Sequence, residues 1–167
     1  IFRRKKVGAG KKMSVSNVPM QYRMALQFNE EFATLLTVDK YIARSDYKHF
    51  AGKYDEVYQF FVSVLEAQIL EEYVEKNNLD ITQIEAFVSH YEEIRDITKE
   101  SATIKNHNDQ FVANRIESEK EYLDNILKAC DPAILLDNEQ REVVLSEEDN
   151  TLVIAGAGAG KTTTVAA

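Results

Sequence analysis

The sequence predicts a mainly α-helical protein that runs, near its C-terminal end, into the opening of a truncated α/β nucleotide-binding domain. Three observations carry that prediction. Helix breakers are scarce, with 2 Pro and 6 Gly in 167 residues, and three of the Gly sit in the last stretch. Apolar residues between positions 20 and 127 recur at three- and four-residue spacing. The end of the chain reads "TLVIAGAGAGKTTTVAA", a β-branched apolar run followed by a glycine-rich loop and a helix-competent segment. The implied organisation is a basic tail over 1–18, a helical N-terminal domain over 19–130, and the start of the α/β domain over 131–167.

The composition, 44% hydrophobic and 29% charged, suits a globular chain rather than a disordered one. The first twelve residues hold six Lys or Arg and no acid, so the rest of the chain carries −14 where the whole carries −8. An acidic body repels phosphates and is not itself a nucleic-acid surface. The basic head reads as a solvated tail. One cysteine, Cys130, excludes an internal disulfide and gives no metal spacing. It fits a reducing compartment, and a cytoplasmic setting is expected. No stretch approaches the ~20 apolar residues that span a bilayer.

Along the chain, Tyr22, Leu26, Phe28, Phe32, Leu35 and Leu36 mark a first helix after Pro19. From Tyr47 the helical signal strengthens, and Tyr54, Val57, Tyr58, Phe61, Val62, Leu65, Ile69, Tyr73 and Val74 share one face of a helix expected to run to about Glu75. "KNNLD" ends it, because Asn and Asp favour caps and turns. Thr82 and Glu85 have capping-box spacing, opening a helix that buries Ile84, Phe87, Val88, Tyr91 and Ile94. A last long helix carries Ile104, Phe111, Val112, Ile116, Leu123, Ile126 and Leu127, and stops before Asp131-Pro132. The aromatic stripes read as core rather than as a base-stacking surface. His49, His90 and His107 lack metal or catalytic spacing, and no chemistry is assigned to them.

After Pro132 a short helix is expected from about Asn138, then a buried strand over 150–156. The loop runs Ala155, Gly156, Ala157, Gly158, Ala159, Gly160, Lys161, Thr162, Thr163. The general phosphate-loop pattern is Gly, four residues, Gly, Lys, then Ser or Thr, and Ala155 breaks its first position. The chemistry survives that change. The glycines let backbone N–H groups curl around phosphate oxygens, and Lys161 can reach the β- and γ-phosphates. The Thr162 hydroxyl can ligate Mg²⁺, and a helix starting near Gly160 turns its positive end to the anion. Gln140 lies about twenty residues before Lys161. Its amide can donate to and accept from an adenine edge together, which would select ATP.

At these residues the chain resembles the N-terminal edge of superfamily-one DNA helicases of the UvrD/Rep type. Leu136, Asp137, Asn138, Glu139 and Gln140 are similar to that family's Leu-Asn-x-x-Gln motif. Residues 155–162 are similar to its phosphate loop, Ala-Gly-Ala-Gly-Ser-Gly-Lys-Thr, in which Ala stands where Ala155 does. Two departures, Asp137 for Asn and Ala159 for Ser, remove no group the chemistry requires. Upstream, residues 107–127 are similar to the helical lead-in of the helicase IV branch, mainly at Asn108, Phe111, Val112 and the Tyr122-Leu123-Asp124 stretch. The resemblance covers about 104–167, and residues 20–100 only in general character.

The resemblance implies an ATP-dependent DNA helicase or translocase with a RecA-like ATPase core, moving 3′ to 5′ on single-stranded DNA. Gln140 would contact adenine, with Lys161 and Thr162 on the triphosphate and Mg²⁺. The family's acidic metal motif, arginine fingers and single-strand groove are absent from residues 1–167. The stretch is therefore expected to be a piece of a longer enzyme, unable to hydrolyse ATP alone. Its residues 151–167 are expected to be frayed, covered by helices or paired with another molecule, since one strand makes no sheet. A second reading makes the acidic helical region a protein-interaction arm on a helicase-like ATPase that engages RNA polymerase.

Overall fold

A computed structural model of the chain describes residues 18–96, 98–154, 160, 161 and 164, and the basic tail expected over 1–18 lies outside it except for Val18. The described residues are mainly helical: α1 (Met20–Leu35), α2 (Arg44–Gly52), α3 (Asp55–Glu66), α4 (Leu70–Asn77), α5 (Ile81–Arg95), α6 (Ala102–Cys130) and α7 (Asn138–Leu145). None of them is long and apolar enough to cross a membrane.

The aromatic stripes form the core, as the periodicity predicts. Phe28 of α1 is fully buried, and its ring centroid lies 5.0 Å from both Phe50 of α2 and Phe87 of α5. Tyr54, just ahead of α3, adds an edge contact at 5.2 Å. Each such ring contributes ~1.5–3 kcal/mol through burial, and the edge-to-face pairs somewhat more. At the edge of the core a polar rim satisfies the Tyr58 and Tyr91 hydroxyls. Tyr91 donates to Asp55 at 2.9 Å, Tyr58 donates to Glu92 at 2.9 Å, and Arg95 donates to Tyr58 at 2.9 Å. Burial and the Asp55 bond both push the Tyr91 hydroxyl pKa well above its ordinary value.

Two helix boundaries differ from the sequence expectation. The helical stretch expected from Tyr47 to about Glu75 is divided among α2, α3 and α4, and the break between α3 and α4 falls at Gln68, which takes φ 57° and turns the chain. The Ile69 amide then bonds Val64 O at 3.2 Å, which closes α3 as a Schellman-type turn. A left-handed non-glycine residue costs ~1–2 kcal/mol, so neither Gly nor Asn flags this break. Leu65 and Ile69 consequently stay 41% and 45% exposed, outside the face assigned to them. The second correction is the start of α5. Its cap is Asp80, whose carboxylate accepts from the Thr82 amide at 3.0 Å and hydroxyl at 2.7 Å, so Thr82 lies inside the helix rather than capping it. The stop at "KNNLD" is as expected, with Asn78 left-handed at φ 52°.

α6 is fastened to this core from its N-terminal half. Ser101 caps it, accepting from the Ile104 amide at 3.1 Å. Glu93 of α5 accepts from the Ser101 hydroxyl at 2.9 Å and from the Thr103 amide and hydroxyl at 2.7 and 3.0 Å. Asn108, buried, grips the backbone of Ile42 by accepting from its N–H at 2.9 Å and donating to its C=O at 3.0 Å. His107 spans the carbonyls of Leu36 and Lys40 at 3.1 and 2.9 Å, a structural tie between α6 and the end of α1. Ile126, expected on the buried face, is 44% exposed.

Burial pushes the Glu93 carboxyl up, but its bonds from Thr103 and Ser101 outweigh that and hold its pKa below the ordinary value. A carboxylate depressed in the fold stabilises above the unfolded pKa of about 4.3 and loses that contribution as pH falls through and below it. Denaturant titrations from pH 7 to 3 should therefore show stability falling with acidification, and falling less steeply in Glu93→Gln. Parallel profiles for the two proteins would reject this role for Glu93.

Candidate functional site

The C-terminal stretch is held against α6 by α7. Leu136 is buried, and Asp137 caps α7 by accepting from the Gln140 amide at 2.8 Å. The Gln140 side-chain oxygen returns the bond, accepting from the Asp137 amide at 3.0 Å, which completes a capping box. Asp and Asn cap about equally well, so Asp137 makes the cap that an Asn could make at this position. Arg141, 2% exposed, donates through Nε to Leu136 O at 3.1 Å and pairs through Nη2 with Asp124 of α6. That Arg141 bond holds the Asp124 carboxyl pKa below its usual range. Composition gave no sign of this pair; the signal available was an arginine one residue beyond Gln140.

Residues 151–154 form no regular secondary structure, and Leu152 and Ile154 are 83% and 88% exposed. The buried strand expected over 150–156 is thus not formed across its described part. A lone apolar run has neither ladder partners nor a covering layer among the described residues, so burial does not follow from its composition.

Of the expected phosphate-loop residues, Ala155, Gly156, Ala157, Gly158, Ala159, Thr162 and Thr163 lie outside the described residues. Gly160 and Lys161 are described, and they bear on the loop-to-helix junction. Gly160 has φ 71°, the left-handed region that glycine enters without penalty. Lys161 and Thr164 are helical, and the Thr164 amide donates to Gly160 O at 2.9 Å, so a helix begins at the Gly-Lys step. The end of the Gln140 side chain lies beside Gly160: a Cβ there would stand 2.7 Å from Gln140 Nε2. The structure therefore brings together Gln140, Gly160 and Lys161, which are about twenty residues apart in sequence.

These three residues line a cavity of about 550 Å³. Its apolar side is built by Leu135, Val143, Leu152, Val153 and Ile154. That volume lies in the range of small-molecule sites, ~300–1,000 Å³. An apolar wall with one amide suits a flat heterocycle, and a lysine at a helix start suits phosphate. No group of three or more His, Cys, Asp or Glu side chains able to hold a metal ion occurs among the described residues.

The family model of the UvrD/REP helicase N-terminal domain matches residues 136–167. The match opens at the buried Leu136 and takes in Asp137, Gln140, Gly160 and Lys161, and it supports the UvrD/Rep family. No curated protein and no solved structure matches the chain.

Gly160→Ala puts its Cβ against an amide that the capping box holds in place, at a backbone angle only glycine takes freely. Hydrogen exchange at the amides of Arg141 and Thr164 should quicken roughly tenfold, the equivalent of ~1–2 kcal/mol of local strain. Unchanged exchange at both amides would show that Gln140 and Gly160 are not mechanically joined.

Proposed function

We propose that residues 136–164 form the ATP-loading edge of a UvrD/Rep-type DNA helicase, of the helicase IV branch, in which ATP turnover drives 3′ to 5′ movement on single-stranded DNA. One observation carries the reading. Gln140 and the Gly160–Lys161 helix start, which the resemblance assigns to opposite ends of one nucleotide, face the same cavity.

In this reading adenine stacks on the apolar side, near Leu152 and Ile154, and meets the Gln140 amide. The Gln140 oxygen already accepts from the Asp137 N–H, and an amide oxygen has a second lone pair for the adenine amino group. The capping box thus sets the amide's orientation before a ligand arrives, which lowers the ordering cost of binding. Lys161, exposed at the first turn of its helix, places its ammonium against the β- and γ-phosphates. Gly156, Gly158 and Gly160 supply N–H groups to the phosphate oxygens. The Thr162 hydroxyl would hold Mg²⁺, which would supply charge neutralisation on the triphosphate.

Titrating the chain with a fluorescent ATP analogue and Mg²⁺ tests this. Binding is expected, and Lys161→Ala should weaken it at least tenfold while leaving the helical circular dichroism intact. Equal affinity in the two proteins would remove Lys161 from the site.

A further inference from the structure

The residues just ahead of the apolar run make a contact that the nucleotide reading does not use. α2 begins without a cap of its own: its N-cap residue is Ala43, which has no side-chain acceptor. The carboxylates of Glu148 and Asp149, about a hundred residues later, take that place. The Arg44 amide donates to Glu148 Oε1 at 3.1 Å, and the Ser45 amide donates to Asp149 Oδ2 at 2.9 Å. The Ser45 hydroxyl donates to Asp149 Oδ1 at 2.8 Å. Arg44 Nε also lies 3.9 Å from Glu148 Oε2. Negative charge at this end of a helix is favoured by its dipole as well as by the orphan N–H groups.

We propose that Glu148 and Asp149 are positioning residues for the nucleotide site: a two-carboxylate latch that fastens the lead-in of the phosphate loop to α2 of the helical domain. This rests on the nucleotide reading above. The stretch between α7 and Gly160 contains no regular structure in its described part, so its placement comes from its anchors. One anchor is the Arg141–Asp124 pair on α6, and the other is the latch on α2. Releasing the latch lets Leu152, Val153 and Ile154 leave the wall of the cavity. Apparent affinity then falls by the fraction of molecules in which that wall is lost. The same linkage makes the helical domain and the nucleotide sensitive to one another.

The test uses the whole chain with Glu148→Gln and Asp149→Asn together, with and without Ala43→Ser. The serine gives α2 a local cap but leaves the lead-in unfastened. Spin labels on Lys48→Cys and Thr151→Cys, with Cys130→Ser, report the distance between α2 and the run, and affinities are read on the unlabelled proteins. The paired carboxylate variant should broaden that distance distribution, quicken exchange at the Arg44 and Ser45 amides, and weaken the fluorescent ATP analogue at least fivefold. Adding Ala43→Ser should restore the exchange rates alone. An unbroadened distribution overturns the latch. So does an unchanged affinity, or an affinity restored by Ala43→Ser, which would make the carboxylates a plain helix cap. If the wild-type chain binds no analogue, the nucleotide reading falls, and the label distances alone decide whether the latch exists.

Discussion

The structure depends first on the burial of Phe28. Its ring meets Phe50, Tyr54 and Phe87, and through them α1, α2, α3 and α5 share one aromatic centre. Close-packed aromatic contacts fix helix positions to within an ångström or so, since a shift opens a void or a clash. Everything that touches the candidate site hangs from that centre. α5 presents Glu93 to the start of α6, and the loop before α2 presents Ile42 to Asn108. α6, held at those points, carries Asp124 to Arg141 and so sets where α7 lies.

The polar ties matter because the C-terminal stretch has little apolar burial to hold it. Leu136 is buried, whereas Leu135, Leu152 and Ile154 are exposed by 71%, 83% and 88%. Where apolar burial is weak, directed bonds decide geometry. The Arg141 guanidinium is withdrawn from water while Asp124 is only partly so, and removing that carboxylate would leave a buried charge without its partner. The Gln140–Asp137 capping box then orients an amide toward Gly160, and the left-handed Gly160 lets that amide approach. A cap, a glycine and a helix start thereby make one cavity wall from residues far apart in sequence.

Much of this was legible in the sequence, for reasons that can be named. The cores of α1, α5 and the first half of α6 follow period 3.6, because burial on one face writes that period directly. The stop at Asn78 was legible because Asn is among the few residues that tolerate a left-handed cap. The break at Gln68 was not, since a glutamine there contradicts the local preference and tertiary packing overrides it. Periodicity likewise could not separate Asp80 from Thr82 as the cap, two cap-competent residues in one short stretch. The run 151–154 looked like a buried strand because composition reports what a segment could bury, not whether a partner strand lies beside it. The grip of Glu148 and Asp149 on α2 spans about a hundred residues, beyond the reach of any local pattern. For the site, Gln140 and Lys161 were readable as types at a spacing. Their meeting at one cavity was not, because it depends on α7 being held by Arg141.

The central claim is that residues 136–164 form a site for an adenine nucleotide, rather than a general anion-binding helix start. Competition against a bound fluorescent ATP analogue tests it most directly, with ATP and GTP as competitors at equal Mg²⁺. An amide held to read the adenine edge should make ATP displace the analogue at ~tenfold or more lower concentration than GTP, because the wrong base leaves buried polar groups unpaired. Equal displacement by the two nucleotides would contradict the claim.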